Sequence, residues 1–115
     1  MIMRKGEIWL VKFIQETSVG HEYTKDRPAL IIEDTSRIRV TTVATIMPLT
    51  SSQNQHQDDI LARKNEKNRL YKDSLIKVHH ILTFDKQRFI HRIGEVDRAI
   101  MNQIEKYLKK HFGLG

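Results

Sequence analysis

The chain has 115 residues, a formal net charge of +6 and no cysteine; it can therefore hold no disulfide, thiolate zinc ligand or thiol nucleophile, and its length suits one core formed without staples. A basic surface gathers polyanions, which makes nucleic acid the partner class that the charge points to. No apolar run approaches the ~18 residues of a membrane span, and Glu7, Lys12, Gln15 and Glu16 break up the stretch after Arg4-Lys5 that a signal peptide would need, so a single cytoplasmic domain over residues 1–115 is expected.

Glu7 to Phe13 is rich in aromatic and aliphatic residues and reads as a strand. A polar loop follows, from Gln15 to Asp26. Ala29 to Ile32 is a short apolar run suited to a buried strand. The residue before a proline is biased to extended backbone, so Arg27 belongs at that strand's entrance. Arg39 to Met47 is dense in Val, Thr and Ile and predicts a further strand, closed by Pro48 because proline cannot donate within a central ladder. Ser51 to Lys72 is long and polar, with Ile60-Leu61-Ala62 as a short strand, and is the candidate segment for substrate contact. Its second half, Arg63 to Lys72, carries five basic residues and one acid. Ser74 to Leu82 predicts one continuous strand, Asp85 to Arg88 a turn, and Phe89 to Ile93 a last strand.

The end of the chain changes period. Ile100, Ile104, Tyr107, Leu108 and Phe112 recur at helical spacing and form one apolar stripe. Asp97 suits the N-cap, and Lys109, Lys110 and His111 followed by Gly113 suit the C-terminus. Short strands followed by one amphipathic helix predict a mainly β, α+β fold: a small, strongly bent antiparallel sheet or barrel with the helix packed on it.

These segments carry a family resemblance. Lys5-Gly6-Glu7-Ile8-Trp9-Leu10-Val11 resembles the opening strand of the MazF/PemK/Kid toxins. Gly20-His21-Glu22, followed after four residues by Arg27-Pro28-Ala29-Leu30-Ile31-Ile32, resembles their first loop and second strand. Pro48-Leu49-Thr50-Ser51, Lys72-Asp73-Ser74, Thr83-Phe84-Asp85-Lys86-Gln87-Arg88 and the tail after Gly94 follow in the family's order. The resemblance implies an SH3-like barrel, a homodimer, and an endoribonuclease neutralised by a cognate antitoxin. It also implies single-stranded RNA cut at short sequences without metal or other cofactor, leaving a 2′,3′-cyclic phosphate and a 5′-hydroxyl.

Such a cut needs a base for the 2′-hydroxyl, an acid for the departing 5′-oxygen, and donors for the phosphorane oxygens. By resemblance Arg27 is the catalytic arginine. A guanidinium keeps its proton and offers paired donors, so its part is charge stabilisation. Thr50 matches the active-site threonine, a hydroxyl donor, with Ser51 beside it. His21 and Glu22, in the loop before Arg27, match positions that hold the phosphate. The strand at Ser74 to Leu82 departs from the family pattern. The usual acidic residue, Gln and later Arg are replaced by His79, His80 and Leu82.

Strict alternation puts Ser74, Ile76, Val78, His80 and Leu82 on one, mostly apolar, face and Leu75, Lys77, His79 and Ile81 on the other. His80 then falls among core residues. His79 shares a face with Lys77 and can replace the missing carboxylate as base, titrating near pH 6.5. Neighbours on opposite strand faces do not chelate one ion, and His56, His91 and His111 are scattered, so no metal site is expected. Two other readings stay open: a CcdB-type toxin that poisons gyrase by binding alone, and a catalytically inactive paralogue that binds RNA or antitoxin. The pair Arg27 and Thr50 favours the ribonuclease, and an acidic antitoxin is the partner a chain of +6 calls for.

Overall fold

The computed structural model describes residues 2–13, 26–52 and 54–115. Strands β1 (Glu7–Lys12) and β2 (Asp26–Ile31) are followed by a short helix α1 (Thr35–Val40) and the long strand β3 (Val43–Thr50). Strands β4 (Ile60–Ala62), β5 (Ser74–Ile76), β6 (Leu82–Asp85) and β7 (Phe89–Glu95) come next, and helix α2 (Arg98–His111) closes the chain. The sheet runs β4-β5-β3-β2-β1-β7, with β6 also paired to β3. Among the described residues all pairings are antiparallel and the ends of this path do not pair, so the sheet they form is bent but not closed.

Period-two alternation divides the core between the two sheet faces. Ile8, Leu30, Met47, Leu49 and Ile76 face α2, whose Met101 and Ile104 complete one apolar cluster. Trp9, Val11, Ala29, Ile31, Ala44 and Ile46 face the other way, where Ile38 of α1 and Phe89 cover them. The buried carboxylate of Glu7 is satisfied by Trp9 Nε1, the Arg4 amide and Arg92 Nε. Burial alone would raise its pKa, but these hydrogen bonds outweigh that and hold it below the usual range.

The Asp97 cap is present, its side chain accepting from the Ile100 amide, and Gly113 adopts φ +66° just past the helix. Asp85 caps the 3-10 turn Lys86–Arg88 in the same way. Three expectations need correction. Arg39 and Val40 belong to α1, where Asp34 supplies an N-cap to Ser36. Pro48 does not close β3 but lies inside it, opposite Ala29. The stretch from Ser74 to Leu82 is not one strand.

The last two corrections share a cause. An antiparallel residue points its N–H and C=O to the same neighbouring strand. The Pro48 carbonyl accepts from the Lys77 amide, so its missing N–H faces the same side. There the ladder breaks: six steps from Ile76 to Leu82 stand against three from Leu49 back to Ile46. The three extra residues loop out in a turn held by Val78 N to Ile76 O and His80 N to Lys77 O.

The basic segment after β4 is compactly tied. Asn68, 1% exposed, accepts from the Asn65 and Leu70 amides and donates to the Arg63 carbonyl. It lies against Gly94 of β7, where an added Cβ would meet the Asn68 carbonyl oxygen at 2.3 Å and the Lys67 carbonyl oxygen at 2.7 Å. Both obstacles are backbone. Gly94→Ala is therefore expected to cost about 1–3 kcal/mol and to lower Tm by roughly 4–15 °C. A thermal melt within about 2 °C of the parent would show that the segment moves aside at little cost.

Candidate functional site

The register of β2 on β3, continued two residues beyond Ala29 opposite Pro48, brings Arg27 opposite Thr50. Both side chains line a groove of about 410 Å³ whose walls also include Ser51, Leu70, Tyr71 and Lys72. Arg27 and Thr50 are half-buried and Ser51 is exposed. Thr50 Oγ1 accepts from the Ser52 amide at 3.1 Å, a bond that does not use its hydroxyl hydrogen. Tyr71 is 89% exposed and presents an open aromatic face at the rim. Arg63, Lys64, Lys67, Arg69 and Lys72 are all exposed on the segment leading to it.

A second pocket, of about 350 Å³, holds Lys77, His79 and His80 together with Asn54, Gln55 and His56. It adjoins the first through β5: Thr50 pairs with Leu75, so Lys77 stands one diagonal step, ~7–8 Å, from Thr50. The loop created by the break at Pro48 changes the expected arrangement of the histidines. His79 and His80 are both half-buried and line the same pocket, with ring centroids 4.2 Å apart. His80 is thus not placed in the apolar core, and the two rings do not occupy opposite strand faces. The His56 ring lies 4.4 Å from that of His79, tilted by 32°. Among the described residues, no three His, Asp or Glu side chains converge as a metal site.

Beneath this pocket lies Asp59, whose carboxylate has no solvent exposure. Ile60 pairs with Ile76, and the next step of that ladder sets Asp59 beside Lys77. Its Oδ2 accepts from Lys77 Nζ and, at 2.8 Å, from the His56 amide. Lys77 Nζ also donates to the Asn54 carbonyl at 3.3 Å. Oδ1 stands 3.6 Å from His79 Nδ1. Burial, then the neighbouring His56, pushes the His79 pKa below its ordinary value, with Asp59 pulling the other way. From α2, Tyr107 comes near enough to Asp58 and Asp59 that these, after burial itself, push its phenol up.

The structure therefore gathers Arg27, Thr50 and Ser51 in one groove and Lys77, His79 and His80 in the next. His21 and Glu22 lie outside the described residues. Asp59, His56 and Tyr71 were not singled out by the sequence. For Asp59 the available signal was an acidic pair, Asp58-Asp59, just before the short strand in a segment whose second half is basic.

A bent antiparallel sheet backed by a C-terminal helix, with an arginine and a threonine facing across one groove, defines a small SH3-like fold. The family model of the PemK-like, MazF-like toxins of type II toxin–antitoxin systems matches residues 4–112, and the chain belongs to that family. It is 30% identical over 103 residues to Endoribonuclease PemK of Escherichia coli, covering 89% of this chain and 76% of that one. Its fold is that of MazF from Deinococcus radiodurans, with a TM-score of 0.80 at 18% identity over 98% of both chains. An endoribonuclease in complex with its cognate antitoxin, from a mycobacterial species, superposes with a TM-score of 0.74 at 22% identity, over 98% of this chain and 97% of that one.

Proposed function

We propose that this chain is an endoribonuclease toxin that cuts single-stranded RNA without metal, acts as a homodimer in the cytoplasm, and is held in check by an acidic antitoxin. The observation that carries the reading is the meeting of Arg27 and Thr50 in one groove with a basic bank beside it. The groove, with Arg27 and Lys72 in its walls, suits a phosphate backbone. Tyr71 at its rim offers a surface on which an unpaired base can stack, the usual way single-stranded RNA is gripped.

In the reaction, the 2′-oxygen forms a bond to phosphorus and gives its proton to His79, while the bond from phosphorus to the 5′-oxygen breaks. The 5′-oxygen leaves with a proton supplied by an acid, and the phosphate closes as a 2′,3′-cyclic diester. Arg27 and Thr50 donate to the phosphorane oxygens as their charge grows, which lowers the barrier without metal. Lys77, Ser51 and His80 hold the substrate, with His21 and Glu22 assigned the same part by family resemblance. DNA lacks the 2′-hydroxyl and is not a substrate. The net charge of +6 favours an acidic partner lying across the same basic bank, in keeping with the family's pairing of toxin and antitoxin.

The test is incubation of the purified chain with a single-stranded RNA in EDTA, with the cut ends mapped, alongside a DNA of the same sequence. The expected result is cut RNA bearing cyclic phosphate and 5′-hydroxyl ends, intact DNA, and light scattering at twice the 13.6 kDa chain mass. Cleavage lost to chelator and restored by a divalent ion would overturn the metal-free reaction. A monomer at micromolar concentration would overturn the dimer.

A further inference from the structure

We propose that Asp59 is a positioning residue for His79: its buried Oδ1 accepts from Nδ1–H of the imidazole and fixes the tautomer whose Nε2 is unprotonated and able to act as a base. The inference rests on the ribonuclease reading for its catalytic meaning, but not for its structural content. A carboxylate removed from water needs partners for both oxygens. Lys77 Nζ and the His56 amide both go to Oδ2. Oδ1, equally buried, has no hydrogen-bond partner among the described residues, and neither does the buried Nδ1 of His79.

These two atoms face each other at 3.6 Å. One can only accept and the other can donate. The separation is slightly beyond a hydrogen bond, so the proposed bond requires the imidazole to turn toward Oδ1. Bonds of this kind are often long before substrate is bound. A base held by a third group is a recurring arrangement in nucleophile activation.

The surroundings decide what the carboxylate does there. His79 is faced by the rings of His56 and His80, by Lys77, and by Asp58 and Asp59, while Tyr107 approaches the two aspartates from α2. Lys77 balances the Asp59 charge, so the carboxylate orients the imidazole more than it charges it. The acidic group missing from the strand at position 79 is thus present in space, brought behind His79 by the pairing of β4 with β5.

The tautomer can be read directly in the full-length parent by long-range proton–nitrogen NMR of the histidine side chains, above the pH at which His79 titrates. The expected form carries its proton on Nδ1; a His79 protonated on Nε2 overturns the proposal whether or not the chain cleaves RNA. If the parent shows the Nδ1–H form but cuts no RNA, the pair stands and the ribonuclease reading falls. In an active parent, Asp59→Asn is expected to lower kcat about ten- to a hundredfold, short of the full loss of a general base, while any effect passed through Lys77 falls on KM. In the His79→Ala background the same substitution is expected to cost nothing further in kcat, because the carboxylate then has no imidazole to orient. An undiminished second loss there overturns the proposal.

Discussion

Arg27→Ala is expected to slow single-turnover cleavage of a single-stranded RNA by about a hundredfold or more, the effect of deleting one strong donor to a developing oxyanion. The arginine sits at the entrance of β2, half-buried, while the apolar residues that hold β2 in place, Ala29, Leu30 and Ile31, lie further along it. Its removal should therefore leave the melting temperature within a few degrees of the parent. Arg27→Lys keeps the charge but loses the paired donors, and should recover only part of the rate. Thr50→Ala supplies the comparison. A neutral hydroxyl donor is weaker than a charged fork, so a loss of about tenfold is expected. If both alanine variants lose their cooperative melt, the two residues are holding β2 and β3 together, and the groove is not the reacting site.

His79→Ala is expected to lose at least about a hundredfold, the lower range for a general base, and its pH profile should differ in shape from the parent's. A base must be neutral to work, so activity falls as pH drops through its pKa. An ordinary histidine would place that fall near pH 6.5. Burial and the adjacent His56 push His79 lower, against the pull of Asp59. The parent should therefore keep full kcat/KM through neutral pH and lose it only below the ordinary histidine range. A carboxylate base would stay active down to about pH 4–5. The limb should vanish in His79→Ala. His80→Ala is the control, because its ring lies 4.2 Å away in the same pocket. A folded but inactive His80→Ala beside a fully active His79→Ala would exchange their roles.

The legible parts of the fold were those whose signal is local. Trp9 and Val11 alternate with Ile8 and Leu10, Ile100 and Ile104 repeat at helical spacing, and Asp97 precedes the stripe as a cap should. Each feature is written within a few residues, because strand and helix periods are properties of neighbouring residues. The facing of Arg27 and Thr50 was implied only by resemblance. The sequence holds them 23 positions apart, and it is the β2–β3 register that brings them together.

The histidine pocket shows where local reading stops. Alternation assigned His79 and His80 to opposite faces on the premise that Ser74 to Leu82 is one strand. That premise failed at Pro48, a residue of a different strand, whose absent N–H points to the place where the ladder opens. Asp59 was invisible as a site residue for the same reason. Its closeness to Lys77 and His79 exists only once β4 lies against β5, and its burial only once that region is packed under α2. The sequence by itself determined the strands β1 and β2, the closing helix α2 and the apolar faces of these elements. The tertiary structure decided which polar atoms share a buried space, because a ladder bond depends on a partner whose identity no local period records.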